Sequence, residues 1–417
     1  MCIQSIAAFV LSAALLATTA LGQVTTLEQP APAAALISYP HATEPIGSVR
    51  EIYDGVLSPE MAVNTFRNID RLFHTRTVPR SVEPMPLPPA EIPLVNVSFH
   101  DGDKRYDLID YLYVNKISAL LVLKEGRVKL ELYRFGNSPQ TRWMSMSVAK
   151  SITSTLIGAA LKEGFIESLS DDVTEYVPAL AGSAYDGVSI RDVLMMASGV
   201  GWSEEYTDSA SDRRRLLEAQ ISQEPGGALA VMKSLSRVAE PGTLNNYNTG
   251  ETQVVGEVLR GAIDRPLATY LSERIWSKFG MESDANWWLE SEDGIEIGGS
   301  GFSATLRDYG RFGLFLLNGG IADGETILPA GWIHEATTPK VLKGGTPLEY
   351  GYLWWTGTTP SSREDGAYMA MGIHGQTLYV NPVAKVVVVA WGARPEPMAE
   401  DIIDDWLFCD AVAESLE

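Results

Sequence analysis

Two strand-rich regions lie near opposite ends of this sequence, and few folds accommodate such an arrangement. In residues 117–135 an apolar run, a Lys-Glu-Gly turn and an alternating run describe a hairpin. Near the other end, residues 368–373, 377–380 and 385–391 are short apolar runs separated by turn residues. Between the two regions the pattern is mainly helical and is capped by glycines, as in residues 147–164 and 253–262. We therefore predict one sheet built from both ends of the chain, with a largely helical insertion.

This pattern is typical of an α/β (α+β) protein in which helices flank an antiparallel sheet. The predicted sheet lobe comprises about residues 55–145 and 340–417, and the helical lobe about residues 146–339. A helix is expected to begin at Ser58, since Pro59 follows at the first helical position. Residues 23–54 are rich in Ala, Pro and Thr without a period, which predicts a poorly ordered lead-in.

The N-terminal residues 1–22 are predicted to be a secretory signal peptide. An apolar segment is followed by Ala20-Leu21-Gly22, whose small outer residues suit a signal peptidase. No Lys or Arg precedes the apolar segment, so a buried N-terminal helix or an uncleaved anchor is the alternative. A cleaved signal would make the protein secreted or periplasmic.

Composition excludes several classes of partner. The chain carries 53 acidic and 32 basic side chains, a formal charge of −21, which repels nucleic acid and anionic membrane surfaces. Cys2 lies within the predicted signal, so the mature protein would retain only Cys409, a small core residue by its context, and no internal disulfide. The five histidines show no paired spacing, and we predict neither a metal site nor a cofactor.

The element Ser147-Val148-Ala149-Lys150 begins a predicted helix, which places Ser147 and Lys150 one turn apart on one face. A serine hydroxyl becomes a good nucleophile when a base accepts its proton, and a lysine serves as that base when burial lowers its pKa. The helix that follows is apolar almost all round and can provide that burial. Four residues alone are weak evidence, and a helix cap followed by a solvated lysine is the alternative.

Two further elements contain groups that suit the same chemistry. Residues 246–250, Asn-Tyr-Asn-Thr-Gly, contain Tyr247, whose hydroxyl can relay a proton beside a Ser-Lys pair. Residues 372–376, Gly-Ile-His-Gly-Gln, lie between two predicted strands, where a backbone N–H could join that of Ser147 in an oxyanion hole. The alternative for the second element is a tyrosine packed in a loop, and the alternative for the third is a tight turn with a surface histidine.

In this order the three elements resemble the motifs of the penicillin-recognising serine hydrolases: Ser-x-x-Lys, a Tyr-x-Asn type motif and a Lys-Thr-Gly type strand. The stretches YNTGETQVVGEVLRGAIDRPLATYLSERIWSKFGM and GGSGFSATLRDYGRFGLFLLNGG also resemble family segments. The chain is most similar to the 6-aminohexanoate-dimer hydrolase and esterase branch, near class C beta-lactamases, over residues 55–417. The resemblance implies a beta-lactamase/DD-peptidase-like fold, with Ser147 as nucleophile, Lys150 as general base and Tyr247 as proton relay.

Two departures from the family pattern bear on the substrate. The asparagine of the second motif is displaced by one position, so Thr249 stands in its place, and the third motif lacks its lysine. If Gly375 is the third-motif glycine, Ile373 replaces the lysine and the N–H of Gln376 completes the oxyanion hole. Both departures remove groups that hold a beta-lactam, which favours an ester or a linear amide.

The resemblance also suggests residues that bind the substrate. His374 and Gly375 lie in the third element, and Tyr206 falls where the 6-aminohexanoate-dimer hydrolase branch places a substrate-contacting tyrosine, with a packed loop tyrosine as the alternative. The sequence therefore predicts an exported serine hydrolase that acts on a small ester or amide. The alternatives are a beta-lactamase or DD-peptidase, and a sensor domain that is acylated at the same serine without turnover.

Overall fold

The computed structural model describes residues 39–416. The α-helices in this range are Val49–Asp54 (α1), Pro59–Phe66 (α2), Leu108–Val114 (α3), Val148–Glu163 (α4), Val173–Tyr176 (α5), Ile190–Leu194 (α6), Asp212–Ser222 (α7), Gly227–Lys233 (α8), Thr249–Ile263 (α9), Leu267–Leu271 (α10), Leu306–Leu317 (α11), Trp332–Thr337 (α12), Pro360–Glu364 (α13) and Asp405–Glu414 (α14). Shorter helical turns are Ile69–Arg71, Pro178–Leu180 and the π-helical Ser272–Trp276.

The strands of the same range are Thr75–Val78 (β1), Ser98–Asp101 (β2), Lys104–Asp107 (β3), Ile117–Lys124 (β4), Arg127–Tyr133 (β5), Arg142–Met144 (β6), Ala285–Trp288 (β7), Phe302–Thr305 (β8), Ile321–Ala322 (β9), Glu325–Thr326 (β10), Lys340–Val341 (β11), Pro347–Leu348 (β12), Trp355–Thr356 (β13), Tyr368–Gly372 (β14), Gln376–Asn381 (β15) and Val386–Gly392 (β16).

The main sheet has six antiparallel strands in the order β13-β14-β15-β16-β4-β5. Its N-terminal hairpin, β4 and β5, joins its C-terminal strands through the pairing of β4 with β16, in which Leu123 lies opposite Val387. The predicted sheet built from both ends of the chain is therefore confirmed.

Both faces of the central strands are buried, which explains why their sequences are continuously apolar. Leu121 and Leu123 of β4 belong to one core cluster, whereas Leu120 and Val122 belong to a second core on the opposite face. The second core is covered by α3 and α14, and Cys409 of α14 is fully buried there as a free thiol. The sheet is thus the middle layer between two sets of helices.

Helix α11 packs directly on the first face of the sheet, although the predicted boundary assigned it to the helical lobe. Its two glycines permit the close approach, since a Cβ at Gly310 would lie 2.6 Å from Leu121 and one at Gly313 would lie 2.6 Å from Val387. The pattern of residues 306–317 is that of any amphipathic helix, so it could not show which lobe the helix covers.

A second sheet, in the order β1-β7-β8-β6, leads the chain into the start of α4. Its edge strand β6 ends at Met144, and Ser145 N–H donates to the Phe302 carbonyl at 2.7 Å. Helix α4 runs from there through the core to a left-handed cap at Gly164 and packs against α9. The predicted helices at residues 147–164 and 253–262 are both confirmed, with α9 beginning earlier, at Thr249.

The predicted lead-in was too long. A capping box between Ser48 and Glu51 begins α1, and Ile52 and Tyr53 of that helix are buried in the core. The helix expected at Ser58 is present as α2, with Ser58 as its N-cap. The predicted signal, residues 1–22, lies outside the described residues and stays a prediction. Within residues 39–416, no helix combines the length and the apolar character needed to cross a bilayer.

Candidate active site

Ser147 lies at the N-cap of α4, immediately after a strained residue. Met146 adopts a positive φ of 42°, which is uncommon for a side chain of its size. The Ser147 side chain makes no capping bond to the helix, so its hydroxyl is available for other contacts. Lys150, one turn later, donates from Nζ to Ser147 Oγ at 2.8 Å. The structure therefore brings the two residues together as their spacing predicts.

The Lys150 amine is buried and has few polar neighbours. Its second hydrogen bond runs to the Gly299 carbonyl at 3.0 Å, and the residue is 2% exposed. Burial lowers the pKa of Lys150 from 10.5 to about 7; the carboxylate of Glu204 acts in the opposite direction, and the guanidinium of Arg213 lowers the pKa further. The amine is thus neutral in an appreciable fraction of molecules near pH 7 and can accept a proton.

Tyr247 lies on the other side of the same amine. Lys150 Nζ is 5.4 Å from the centroid of the Tyr247 ring, which stacks on Trp355 at 5.7 Å between centroids. Burial raises the pKa of the Tyr247 hydroxyl, Glu204 raises it further, and a hydrogen bond with Ser147 lowers it by less. The phenol therefore stays protonated at neutral pH, beside both Ser147 and Lys150.

In the third element, residues 372–376, the glycine that lies against Ser147 is Gly372 and not the predicted Gly375. Strand β14 ends at Gly372, where an added Cβ would lie 3.0 Å from Ser147 N, and residues 373–375 form the turn. The Gln376 side chain instead bonds Trp143 Nε1 and the Gly392 carbonyl, both at 2.9 Å, inside the core. Gln376, predicted to complete the oxyanion hole, does not line the cavity at Ser147, whereas Ile373 does.

The amides of Ser147 and Ile373 can both serve an oxyanion. Within residues 39–416, neither N–H donates to another residue, and Ile373 lines the cavity that contains Ser147. Unpartnered N–H groups at the start of a helix and beside it suit a negatively charged oxygen.

His374 does not reach the substrate space, contrary to prediction. Its ring is fully buried against Phe66, at 4.9 Å between centroids, and its Nδ1 lies 2.8 Å from the Arg394 carbonyl. Burial lowers the pKa of His374 to about 4. The sequence suggested a surface turn, but the 373–375 turn folds inward because β16 and the chain after it cover it; His374 N–H donates to the Pro397 carbonyl at 3.0 Å.

Gly375 and Tyr206 do border the substrate space. A cavity of about 520 Å³ is lined by Ser147, Tyr247, Tyr206 and Gly375 together with largely apolar side chains. The apolar part of its wall consists of Trp355, Met371, Ile373, Pro397, Met398, Ala399, Ile402 and Trp406. Such a cavity suits a small, mainly hydrocarbon substrate, one end of which reaches the serine.

Three charged groups at the site were missed by sequence reasoning: Glu204, Arg394 and Asp405. Glu204 accepts hydrogen bonds from Trp202 Nε1 at 2.5 Å, from Thr249 N at 2.9 Å and from the Thr249 hydroxyl, and it lies 4.0 Å from Arg213. Its place two residues before Tyr206 was the signal that could have revealed it. Arg394 and Asp405 also line the cavity, with Nη2 of the arginine 3.9 Å from Oδ1 of the aspartate, and nothing in their local sequences indicates these positions.

Metal ligands are not grouped in the described part of the chain. No set of three or more His, Cys, Asp or Glu side chains there is arranged to hold a metal ion.

The chain matches a known protein family and a known hydrolase in sequence. A family model described as Beta-lactamase matches residues 118–410. The 6-aminohexanoate-dimer hydrolase of Paenarthrobacter ureafaciens is 32% identical over 305 residues, which cover 70% of this chain and 76% of that protein.

Solved structures share the fold of this chain. A Bacillus anthracis protein provisionally assigned as a 6-aminohexanoate-dimer hydrolase has a TM-score of 0.74 and 24% identity, and the match covers 84% of this chain and 92% of that one. A family VIII carboxylesterase has a TM-score of 0.53 and 18% identity, with 71% of this chain and 90% of that one covered.

Proposed function

Because the chain belongs to the beta-lactamase family of serine hydrolases, we propose that it cleaves an ester or a linear amide through an acyl-serine intermediate at Ser147. Its fold is that of the beta-lactamases and penicillin-binding proteins, as its motifs implied. One observation carries the proposal: the Ser147 hydroxyl accepts a 2.8 Å hydrogen bond from a buried Lys150 whose pKa is about 7.

In the first step, neutral Lys150 accepts the Ser147 proton as the serine oxygen attacks the carbonyl carbon. The carbonyl π electrons move to the carbonyl oxygen, which becomes the oxyanion of a tetrahedral intermediate. The amides of Ser147 and Ile373 donate to that oxygen, and their position at and beside the start of α4 supports this role. Lys150 leaves this step as an ammonium.

Collapse of the intermediate breaks the bond to the leaving group, which must gain a proton. Tyr247 is the proposed donor, since its protonated hydroxyl lies beside Ser147 and is reprotonated by the Lys150 ammonium. Water then attacks the acyl-serine in the reverse order of proton transfers, and the acid product leaves with Ser147 restored. The bonds and protons of both steps balance with Ser147, Lys150, Tyr247, the substrate and one water.

The residues at the end of β14 favour an ester or a linear amide over a beta-lactam as the substrate. The lysine of the family's third motif is absent there, and His374 is buried and uncharged at neutral pH. Thr249, which takes the place of the second-motif asparagine, is engaged by Glu204. At these two motif positions a beta-lactam would find neither the lysine nor the asparagine amide that normally hold it beside the serine.

The test is active-site labelling with matched serine variants. A fluorophosphonate should label wild-type protein at Ser147 alone, and Ser147→Ala should abolish both labelling and ester turnover. Ser145→Ala and Ser151→Ala are the controls, because these neighbouring hydroxyls are buried and bonded to the carbonyls of Met146 and Leu353. Labelling at either control serine contradicts the assignment, and one stoichiometric burst without turnover would indicate a sensor.

We also propose that residues 1–22 direct export of the chain. The apolar segment and the small residues after it support this proposal. N-terminal sequencing of the protein recovered outside the cytoplasm should begin near residue 23; an intact N-terminus would contradict cleavage.

A further inference from the structure

Arg213, in the first turn of α7, is a further charged residue beside the proposed catalytic side chains. It is 1% exposed, its Nη2 donates to the Tyr53 hydroxyl, and its Cζ lies 4.5 Å from the centroid of the Tyr53 ring. Within residues 39–416 its Nη1 is buried without a hydrogen-bond partner, and Arg213 lines a void of about 10 Å³ together with Ser147 and Thr249. The guanidinium keeps its positive charge even when buried, so this charge lies next to the site.

The side chain of Arg213 interacts with Glu204 through its charge and not through a hydrogen bond. Its Nε lies 4.0 Å from Glu204 Oε1, beyond hydrogen-bond distance. The carboxylate is instead held by Trp202 Nε1 and by the backbone N–H and hydroxyl of Thr249. Glu204 should therefore keep its position when the guanidinium is replaced.

The charges of Glu204 and Arg213 act in opposite directions on the proposed general base. Burial is the main cause of the low pKa of Lys150; of the two charges that also act on it, Glu204 raises the pKa and Arg213 lowers it. The same holds for the Tyr247 hydroxyl, whose pKa is raised by burial and by Glu204 and is lowered by Arg213. The guanidinium thus cancels part of the field with which the carboxylate favours an ammonium at Lys150.

Other ionisable groups around the amine do not replace the charge of Arg213. Tyr247 and Tyr206 are phenols whose pKa is raised by burial, so they are uncharged at neutral pH. Glu251 lies in the first turn of α9, which packs on α4, and burial raises its pKa to about 8, so it is mostly protonated near pH 7. Arg394 and Asp405, which line the cavity, lie 3.9 Å apart and offset each other.

We propose that Arg213 is a positioning residue for the general base: its charge offsets that of Glu204, so that Lys150 stays uncharged and can accept the Ser147 proton. This inference rests on the proposed role of Lys150. Glu204 has a separate task, since it accepts from Thr249 N at the start of α9, directly after the segment that carries Tyr247. The arginine allows a carboxylate to hold that segment without charging the base.

The experiment measures kcat/KM for 4-nitrophenyl butyrate from pH 5.5 to pH 9 on the full-length protein. In wild type, kcat/KM should decline below about pH 7, where Lys150 with a pKa of about 7 becomes protonated. In Arg213→Met the midpoint of this decline should move up by about one pH unit, so that kcat/KM at pH 6 falls about tenfold. At pH 9 the variant should be within about twofold of wild type, because Lys150 is neutral in both.

Charge-matched variants assign the shift to the pair of charges. Arg213→Lys, which keeps the charge, should have nearly the wild-type midpoint. Glu204→Gln should move the midpoint down, and the double variant Glu204→Gln/Arg213→Met should bring it back toward wild type, because both charges are then absent. Arg215→Met is the control, since Arg215 is an exposed arginine on the same helix whose Nη2 bonds the Ser234 hydroxyl.

Two results would overturn the inference: an unchanged midpoint in Arg213→Met, or an equal loss of activity at pH 6 and pH 9, which indicates a structural role. If the methionine variant does not fold, Arg213→Gln takes its place, because it removes the charge but can still donate to the Tyr53 hydroxyl. The same shift of the midpoint is expected for Arg213→Gln.

A titration without turnover separates this inference from the proposed function. In Ser147→Ala protein labelled with ¹³C at the ε carbon of lysine, the Lys150 signal is identified by its loss in Lys150→Met, and adding Arg213→Met should raise its titration midpoint by about one pH unit. This shift in a protein whose wild type does not turn over esters would refute the proposed function alone. Ester turnover with a Lys150 titration and a pH profile that do not depend on Arg213 would refute this inference alone.

Discussion

Replacing Lys150 by methionine should stabilise the protein at low pH and inactivate it at every pH. Burial moves the pKa of Lys150 from 10.5 to about 7, which corresponds to about 5 kcal/mol of destabilisation of the folded state whenever the unfolded lysine is charged and the pH is below 7. The unfolded chain binds a proton between pH 7 and 10.5 that the folded protein lacks, so wild-type stability rises with pH across that window.

Methionine fills a similar volume without a charge, so the variant lacks this dependence. It also loses two hydrogen bonds, to Ser147 and Gly299, worth about 1 kcal/mol each, but that loss changes little with pH. From pH 6 to pH 9.5, the free energy of unfolding of wild type should therefore gain about 3 kcal/mol on that of Lys150→Met.

The difference in the free energy of unfolding between wild type and Lys150→Met is measured by urea unfolding at several pH values, monitored by tryptophan fluorescence. Lys162→Met is the matched control, since Lys162 is an exposed lysine on the same helix and should show no comparable trend. In wild type, the rate of acylation should fall as pH decreases through about 7, where the amine becomes protonated. A difference between wild type and Lys150→Met that is constant with pH would refute a neutral, buried Lys150.

Lys150→Ala and Tyr247→Phe should each lower kcat/KM by about 10²-fold or more, and the double variant should lose far less than the product, because both groups handle one proton; full additivity would show separate roles. Nitrophenyl butyrate should have a higher specificity constant than nitrocefin or penicillin, and equal or faster lactam hydrolysis would return the chain to the lactamase or DD-peptidase branch. His374, with a pKa near 4 when folded and 6.5 when unfolded, should cost wild type about 3 kcal/mol of stability as pH falls from 6.5 to 4, and His374→Gln should lack this loss in urea unfolding. Tyr206→Phe should raise KM for amide substrates about tenfold without lowering the melting temperature, whereas an unchanged KM would assign Tyr206 to packing.

Local patterns were sufficient for the elements that depend on nearby residues. The β4 and β5 hairpin and the three C-terminal strands follow from runs of apolar residues and the turns between them. The contact of Ser147 with Lys150 follows from helical spacing alone, and the neutral lysine from the apolar helix that carries it.

Features that depend on distant contacts could not be predicted in this way. The third element contains two glycines, and only the position at which β14 ends shows that Gly372 lies against Ser147 and that His374 is buried. Arg394 reaches the cavity because β16 ends just before it and α14 places Asp405 beside it, a contact between separate elements. Charges that act across such distances leave no periodic signal in the sequence.

The main sheet also determines when during synthesis the protein can become active. More than half of the chain separates Leu123 from Val387, yet these residues are paired neighbours, so the emerging β4 and β5 hairpin has no partner strand until β16 leaves the ribosome. Closing so long a loop is slow, and the apolar hairpin is exposed to aggregation meanwhile. The amide of Ile373 is also synthesised late, so a nascent chain that already contains Ser147 and Lys150 would still lack one of the two amides of the proposed oxyanion hole.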